Sequence, residues 1–266
     1  MTEKPARSAL PASETTGSQP PPAATARAAQ AARNPQNFPV PVRPHPAHTR
    51  LRDQLVIALA LVTGATDAIA FVSLGGVFTS VMTGNMVLLG MGLGRGEAAL
   101  LEHTGIALVA FIAGTVLGAR IAGAPQPDDP VWPRRLTIAL TVEFALFLAA
   151  AVCWWTVGSK PHGAVQNVLL MADALALGVQ SSAVLRLNVS GLSTTYLTGT
   201  LTTLVQSLTT NRRTAKSARS LGLLLALIAG AASGAVLAVH CPAAAPLVAL
   251  VILPGVALTA LVEMRG

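Results

Sequence analysis

Apolar runs dominate the chain after residue 50, and polar residues interrupt them at regular intervals. The pattern predicts spans at about 55–74, 77–93, 104–122, 136–157, 164–185, 192–208, 221–239 and 244–262. A helix needs about 20 apolar residues to cross the roughly 30 Å hydrocarbon core, and most of these runs reach that length. The second is short and holds Thr83-Gly84-Asn85, while the sixth holds Thr198-Gly199-Thr200. Gly75-Gly76 between the first two runs is a turn signal. The fold class expected is an all-α, polytopic transmembrane helix bundle of seven to eight spans.

Before the first run lies a stretch of Ala, Pro, Ser and Thr, residues 1–50. It carries too little apolar surface to offset the entropy of ordering and reads as a disordered cytoplasmic tail. Residues 51–266 then form one transmembrane domain.

Glycine landmarks recur along that domain. Gly64 and Gly178 are 114 apart, Gly84 and Gly199 are 115 apart, and Gly114 and Gly230 are 116 apart. Three landmarks on successive runs share nearly one offset, which implies an internal repeat, unit one at 53–157 and unit two at 162–263. Units of four spans begin on the same side, so the repeats are expected to be parallel.

Composition sharpens the class. Of 266 residues, 52% are hydrophobic and 11% charged, against roughly 25% charged in soluble chains. The net charge of +7 would suggest nucleic acid in a soluble protein. Here Lys and Arg flank the spans and set orientation, so nucleic acid is not an expected partner and membrane lipid is. With eight crossings, ten basic residues fall on one side. Arg120, Arg134, Arg135 and Arg186 fall on the other. The richer side is cytoplasmic by that rule, and both termini are expected there.

The two cysteines, Cys153 and Cys241, fall at different depths, and no metal-ligand spacing is present. Signatures of zinc proteases, serine hydrolases and P-loops are absent. The expectation is a protein that is not an enzyme, with no catalytic residues, metal site or cofactor.

The polar residues inside apolar runs carry the candidate chemistry. Asp67 stands first, because a carboxylate at the centre of a span costs roughly 2.5–3.5 kcal/mol. It should face the bundle interior, as a proton-linked group or as a hydrogen-bonding strut. Asp173 is a second ionisable candidate, and Glu143 reads as structural. The Thr-Gly motifs suggest helices broken in mid-membrane, where freed backbone groups and a positive dipole end can meet a polar or anionic substrate. The plain alternative is close packing around small residues. The candidate substrate-binding set is Asp67, Thr83, Gly84, Asn85, Gln180, Thr198, Gly199 and Thr200, with Thr79, Ser80, Thr194 and Thr195 as further hydroxyls. Gly114-x-x-x-Gly118 and Gly230-x-x-x-Gly234 are packing motifs. They serve packing within the chain before any homo-oligomer, which nothing else indicates.

TGATDAIAFVSLGGVFTSVMTGNMVLLG and LALGVQSSAVLRLNVSGLSTTYLTGTLT resemble the two hallmark stretches of the YoaK-like family, bacterial multi-pass membrane proteins grouped as domain of unknown function 1275. The resemblance covers about 55–262 and implies a multi-pass protein of the bacterial cell (inner) membrane. Where the family pattern reads Gly-x-Gln-Asn, this chain has Gly178-Val179-Gln180-Ser181. The resemblance implies no substrate. Two functions stay open: a small secondary transporter or permease with a central polar site, or a membrane scaffold or regulatory subunit that transports nothing.

Overall fold

A computed structural model describes residues 46–124, 126, 129–187, 197–209 and 215–263. The tail expected at 1–50 lies almost wholly outside the described residues, as do Thr194, Thr195, Arg212 and Arg213.

Eight α-helices form the described chain: α1 (Pro46–Ser73), α2 (Met82–Arg95), α3 (Ala98–Ala122), α4 (Arg134–Thr156), α5 (Gly163–Leu185), α6 (Leu197–Thr209), α7 (Ala215–His240) and α8 (Leu247–Glu263). A 3-10 turn, Pro242–Ala244, joins the last two. Six are long and apolar enough to cross a membrane. The two exceptions are α2, with 14 residues, and α6, with 13 described residues. At 1.5 Å per residue these described lengths reach only about 20 Å, short of the hydrocarbon core. The all-α bundle is as expected, but the count of seven to eight spans becomes six full-length helices and two half-length ones.

The directions of these helices follow from their contacts. Two core clusters mark the two ends of the bundle. One joins Leu55–Val62 of α1 to Leu136–Leu140 of α4, Ala183 and Val184 of α5, Leu223 of α7 and Val256 and Ala260 of α8. The other joins Ile69 and Ala70 of α1 and Leu74 just after it to Ala150 and Trp154 of α4, Leu169 of α5, Ala107 of α3 and Ala238 of α7. Thus α1, α4 and α7 run one way, while α3, α5 and α8 run the other.

The start of α2 packs beside Ala110 and Phe111 near the middle of α3, through Met82, and its Gly92 meets Leu101 near the start of α3. So α2 begins inside the bundle and returns to the face that α1 had reached. At the opposite face Ser207 of α6 meets Ser217 of α7, the hydroxyl of Ser217 donating at 2.9 Å. Leu197, at the other end of α6, lies beside Leu227 and Ala231, deep in α7. So α6 also begins inside the bundle, and it runs out to the opposite face.

This arrangement overturns the parallel relation expected above. The first helices of the two halves, α1 and α5, run in opposite directions, because α2 and α6 turn back instead of crossing. It also moves the charges. Arg120, Arg134, Arg135 and Arg186 join Arg50, Arg52 and Arg219 on the face where α1 starts and α8 ends. Arg95 and Lys160 go to the other face. The basic asymmetry becomes stronger than the eight-span reading gave.

Glycines let the long helices meet at backbone distance. A Cβ on Gly230 would strike the carbonyl oxygen of Leu61, and one on Gly234 that of Ala65. A Cβ on Gly114 would strike the Leu175 oxygen, and one on Gly118 would stand 2.6 Å from the Val179 oxygen. Both pairs, α1 with α7 and α3 with α5, run parallel, and each half lends its second long helix to the first helix of the other. Small residues suit such interfaces because lipid-immersed helices gain from close van der Waals contact. Large side chains such as Val109, Ile112, Ile228 and Val251 point outward, where lipid tails would lie.

Two contacts fasten the ends. Arg186, at the end of α5, donates to both oxygens of Asp129 at 2.9 and 2.8 Å. The Gln126 backbone N–H and then this guanidinium hold the Asp129 carboxyl below the usual aspartate range, against some desolvation. At the opposite face Trp154 and Trp155 donate from their indoles to the carbonyls of Pro242 and Ala243.

The glycine contacts make a stability prediction. Gly230→Ala must push two backbones apart and should cost about 1–3 kcal/mol, the range for overpacking. Gly199→Ala meets nothing within 4 Å and should be neutral or stabilise by up to about 1 kcal/mol, the helix preference of Ala over Gly. Thermal unfolding of the purified variants distinguishes them.

Candidate functional site

The site begins with a gap in the helices. After Ser73 the chain turns at Gly75 and Gly76, whose φ values of 107° and 73° lie where only glycine sits without strain. His103 packs against Gly75, so a side chain at that position would also have no room. Residues 77–81 then run back beside α1 without helical bonds. A backbone in that state must find partners for its N–H and C=O groups.

Asp67 and Asn85 supply four of them. The Asp67 Oδ1 accepts from the Thr79 N–H at 2.8 Å, the Ser80 N–H at 2.8 Å and the Thr79 hydroxyl at 2.9 Å. Its Oδ2 accepts from the Ser80 hydroxyl at 2.5 Å. Asn85 holds Phe78: its Oδ1 accepts from the Phe78 N–H at 3.0 Å, and its Nδ2 donates to the Phe78 carbonyl at 2.6 Å. Asp67, Thr79, Ser80 and Asn85 are all buried.

The break therefore precedes the Thr-Gly-Asn motif. Thr83, Gly84 and Asn85 form the first turn of α2, and Thr198, Gly199 and Thr200 that of α6. The expectation of helices unwound at the glycines is corrected: the glycines are helical, and the gap lies before α2. The residues before α6 lie outside the described part.

Both helix starts border one cavity of about 780 Å³. Asp67, Ser80, Thr83 and Thr198 contribute its polar lining. Phe71, Phe78, Phe111 and Leu227 contribute apolar wall, with Phe71 and Phe78 stacked at a centroid distance of 5.0 Å. Of the expected set, then, Asp67, Thr83 and Thr198 come together. Asn85 and Gly84 stand beside them without lining the space, and Gly199 and Thr200 likewise. The apolar wall was not anticipated, since the only signal for it is a set of bulky residues scattered over four elements.

Two expected members lie elsewhere. Gln180 is buried between α5 and α1, its Nε2 donating to the Thr63 hydroxyl at 2.8 Å. Asp173 lines a separate cavity of about 40 Å³ together with Thr66, Phe147 and Trp154. Among the described residues, no group of three or more His, Cys, Asp or Glu side chains could hold a metal ion. Cys153 and Cys241 are both free.

Comparison with known proteins adds family but no chemistry. Residues 55–259 match the family described as "Protein of unknown function (DUF1275)". The chain is 34% identical over 158 residues to the UPF0700 transmembrane protein YoaK of Bacillus subtilis (strain 168). That match spans 59% of this chain and 67% of the relative. No solved structure matches.

The hydrogen bonds predict how Asp67 variants behave. Asp67→Asn keeps an Oδ1 that accepts from the Thr79 and Ser80 N–H groups, so the fold should survive with a small loss. Asp67→Ala leaves both buried donors bare, at about 1–3 kcal/mol each. Thermal stability in detergent should therefore rank wild type, Asn, Ala. Asn85→Ala should fall near Asp67→Ala.

Proposed function

Because the chain belongs to the DUF1275 family of multi-pass membrane proteins, a family of unknown function, we propose its function from its own geometry: a small permease or secondary transporter. One observation carries the reading, the 780 Å³ cavity bordered by the start of α2 and by the first described turn of α6, which leave it toward opposite faces. A helix start presents free N–H groups and the positive end of the dipole. At a cavity inside a bundle, the start of α2 and the Thr198 hydroxyl of α6 give a polar group something to bind in an otherwise apolar space. The largely apolar wall suits a small molecule with a polar or anionic end and an apolar body.

The proposal is non-enzymatic. It places the basic face, with both termini of the described domain, in the cytoplasm of a bacterial cell membrane. The 53–157 and 162–263 units act in it as two halves of opposite direction, a plan in which one half can rock against the other about a central site.

A second reading has its own support. All the donors of the 77–81 segment that reach Asp67 and Asn85 are satisfied within the chain. A locked scaffold would look the same at those residues. The cavity is what the scaffold leaves without a purpose.

The test is a thermal-shift screen of small carboxylates, amino acids and amphipathic organic acids on purified protein, followed by flux of each hit into proteoliposomes. A ligand at a hundredfold excess over its Kd should stabilise by about 2.7 kcal/mol. Thr83→Trp, which puts a bulky ring at the polar end of the cavity beside Asp67 and Ser80, should weaken both shift and flux by about tenfold or more. Shifts without flux, or hits indifferent to Thr83→Trp, would remove the permease reading in favour of the scaffold.

A further inference from the structure

A second set of polar groups lies away from that cavity, in the heart of the bundle. Glu143 of α4 is completely buried. Neither of its carboxyl oxygens has a hydrogen-bond partner. Gln180 of α5 is also fully buried, and its Oε1 has none either. A buried acceptor left without a donor costs about 1–3 kcal/mol, more when charged. Three such oxygens in one core are not explained by packing.

Their place in the helices gives them a line of access. The 40 Å³ cavity is bounded by Ala245–Ala249 at the start of α8 and by Trp154 near the end of α4. A water needs only about 10–15 Å³ of such space. Asp173 borders it from α5, Phe147 and Ala150 from α4, and Thr66 from α1. Each helix carries a polar group further in on the buried side. On α4 it is Glu143, one turn beyond Phe147. On α1 it is Thr63, one turn before Thr66. On α5 it is Gln180, seven positions or about 10 Å beyond Asp173. Residues three or four apart share a helix face, so Thr63 and Glu143 continue the cavity-facing sides of their helices inward.

We propose that Glu143 is an intramembrane proton-binding site, loaded from the small cavity through Asp173, with Gln180 and Thr63 closing its inner end. A hydronium in the cavity gives its proton to the Asp173 carboxylate and becomes water; the Asp173 carboxyl then gives a proton to the Glu143 carboxylate and is itself ionised again. Once there, it gives Glu143 an O–H donor for a neighbouring acceptor, of which Gln180 Oε1 is the unpartnered one on α5. Asp67, four donors deep in its own network, is a positioning residue for the break instead.

No cation competes for Glu143 in this layer. Of the helices packed against α4, α3 has Glu102 and His103 in its first turns and Arg120 in its last, α5 has Asp173 and, at its end, Arg186, which is paired with Asp129, and α8 has only Glu263 at its end. The α4 cations, Arg134 and Arg135, lie about 12 Å or more along the helix from Glu143. On α1 the charged groups are Asp67 and the cluster near its start, where Asp53 pairs with Arg52 and Arg219.

The site deepens the permease reading as its coupling group, yet it is testable without any substrate. Infrared spectra of the full-length protein in lipid vesicles, taken from acid to alkaline pH in H2O and D2O, read the carbonyl stretch of protonated carboxyl groups. The expected result is a band that titrates, shifts in D2O and disappears in Glu143→Gln. In Asp173→Asn the band should remain, with its deuterium exchange slowed by roughly a hundredfold, the low end of what a positioned proton-transfer group contributes. A band that survives Glu143→Gln would overturn the site. So would one that neither titrates nor exchanges, which is what a purely structural acid would show. Exchange unchanged by Asp173→Asn would overturn the route, and this arm holds even should Glu143→Gln fail to fold. Normal exchange in a protein that carries no solute across vesicles would leave the proton site standing and remove the permease.

Discussion

A peptide group inside a bilayer has no water to bond, so every gap in a helix must be answered by the protein itself. That constraint governs this molecule at residues 77–81. Asp67 and Asn85 answer it from either side, one from the long helix before the gap and one from the short helix after it. With the gap secured, α2 can begin inside the bundle and return to the face it came from. The consequence reaches across the domain. Turning back removes a crossing, and the second half of the chain, whose α6 likewise begins inside, runs opposite to the first.

The cavity is a product of the same geometry. Two helices that start in the interior cannot fill the space that two crossing helices would. What remains open lies between their first turns and the α1–α7 pair. That pair is held so close by Gly64, Gly230 and Gly234 that it forms a firm wall. The proposed transport would need the two halves to rock about this space. The buried acids are separate from this space, as a coupling ion's site can be separate from the path of the solute it drives.

Much of this was legible in the sequence, and the failures have physical causes. Asp67 stood out because a carboxylate in an apolar run needs a reason. The Gly75-Gly76 turn and the small-residue motifs also read correctly, since each depends on local geometry. The position of the break did not. Glycine weakens a helix, which pointed to Gly84 and Gly199, but Asn85 makes the adjoining helix start worthwhile by bonding the peptide of Phe78. Span counting failed for a related reason: hydropathy reports residence in lipid and is blind to direction, so a segment that enters and returns looks like one that crosses. Glu143 reads as structural from the sequence, because about two turns inside its helix a carboxylate can either reach for the surface or face the interior. Only the packing shows that it faces the interior and has no hydrogen-bond partner. The cavity's aromatic wall had no linear signature, being assembled from α1, the gap and α3.

The claim that α2 turns back is tested most directly by labelling cysteines from one side of the membrane. The native Cys241 is exposed at the α7–α8 turn and serves as the reference, with Gly96→Cys between α2 and α3 and Gln126→Cys between α3 and α4 as probes. An impermeant maleimide added to intact spheroplasts should reach Cys241 and the residue-96 cysteine together, and the residue-126 cysteine only after lysis or inversion. If the probes at 96 and 241 react from opposite sides, α2 crosses the membrane and the account fails.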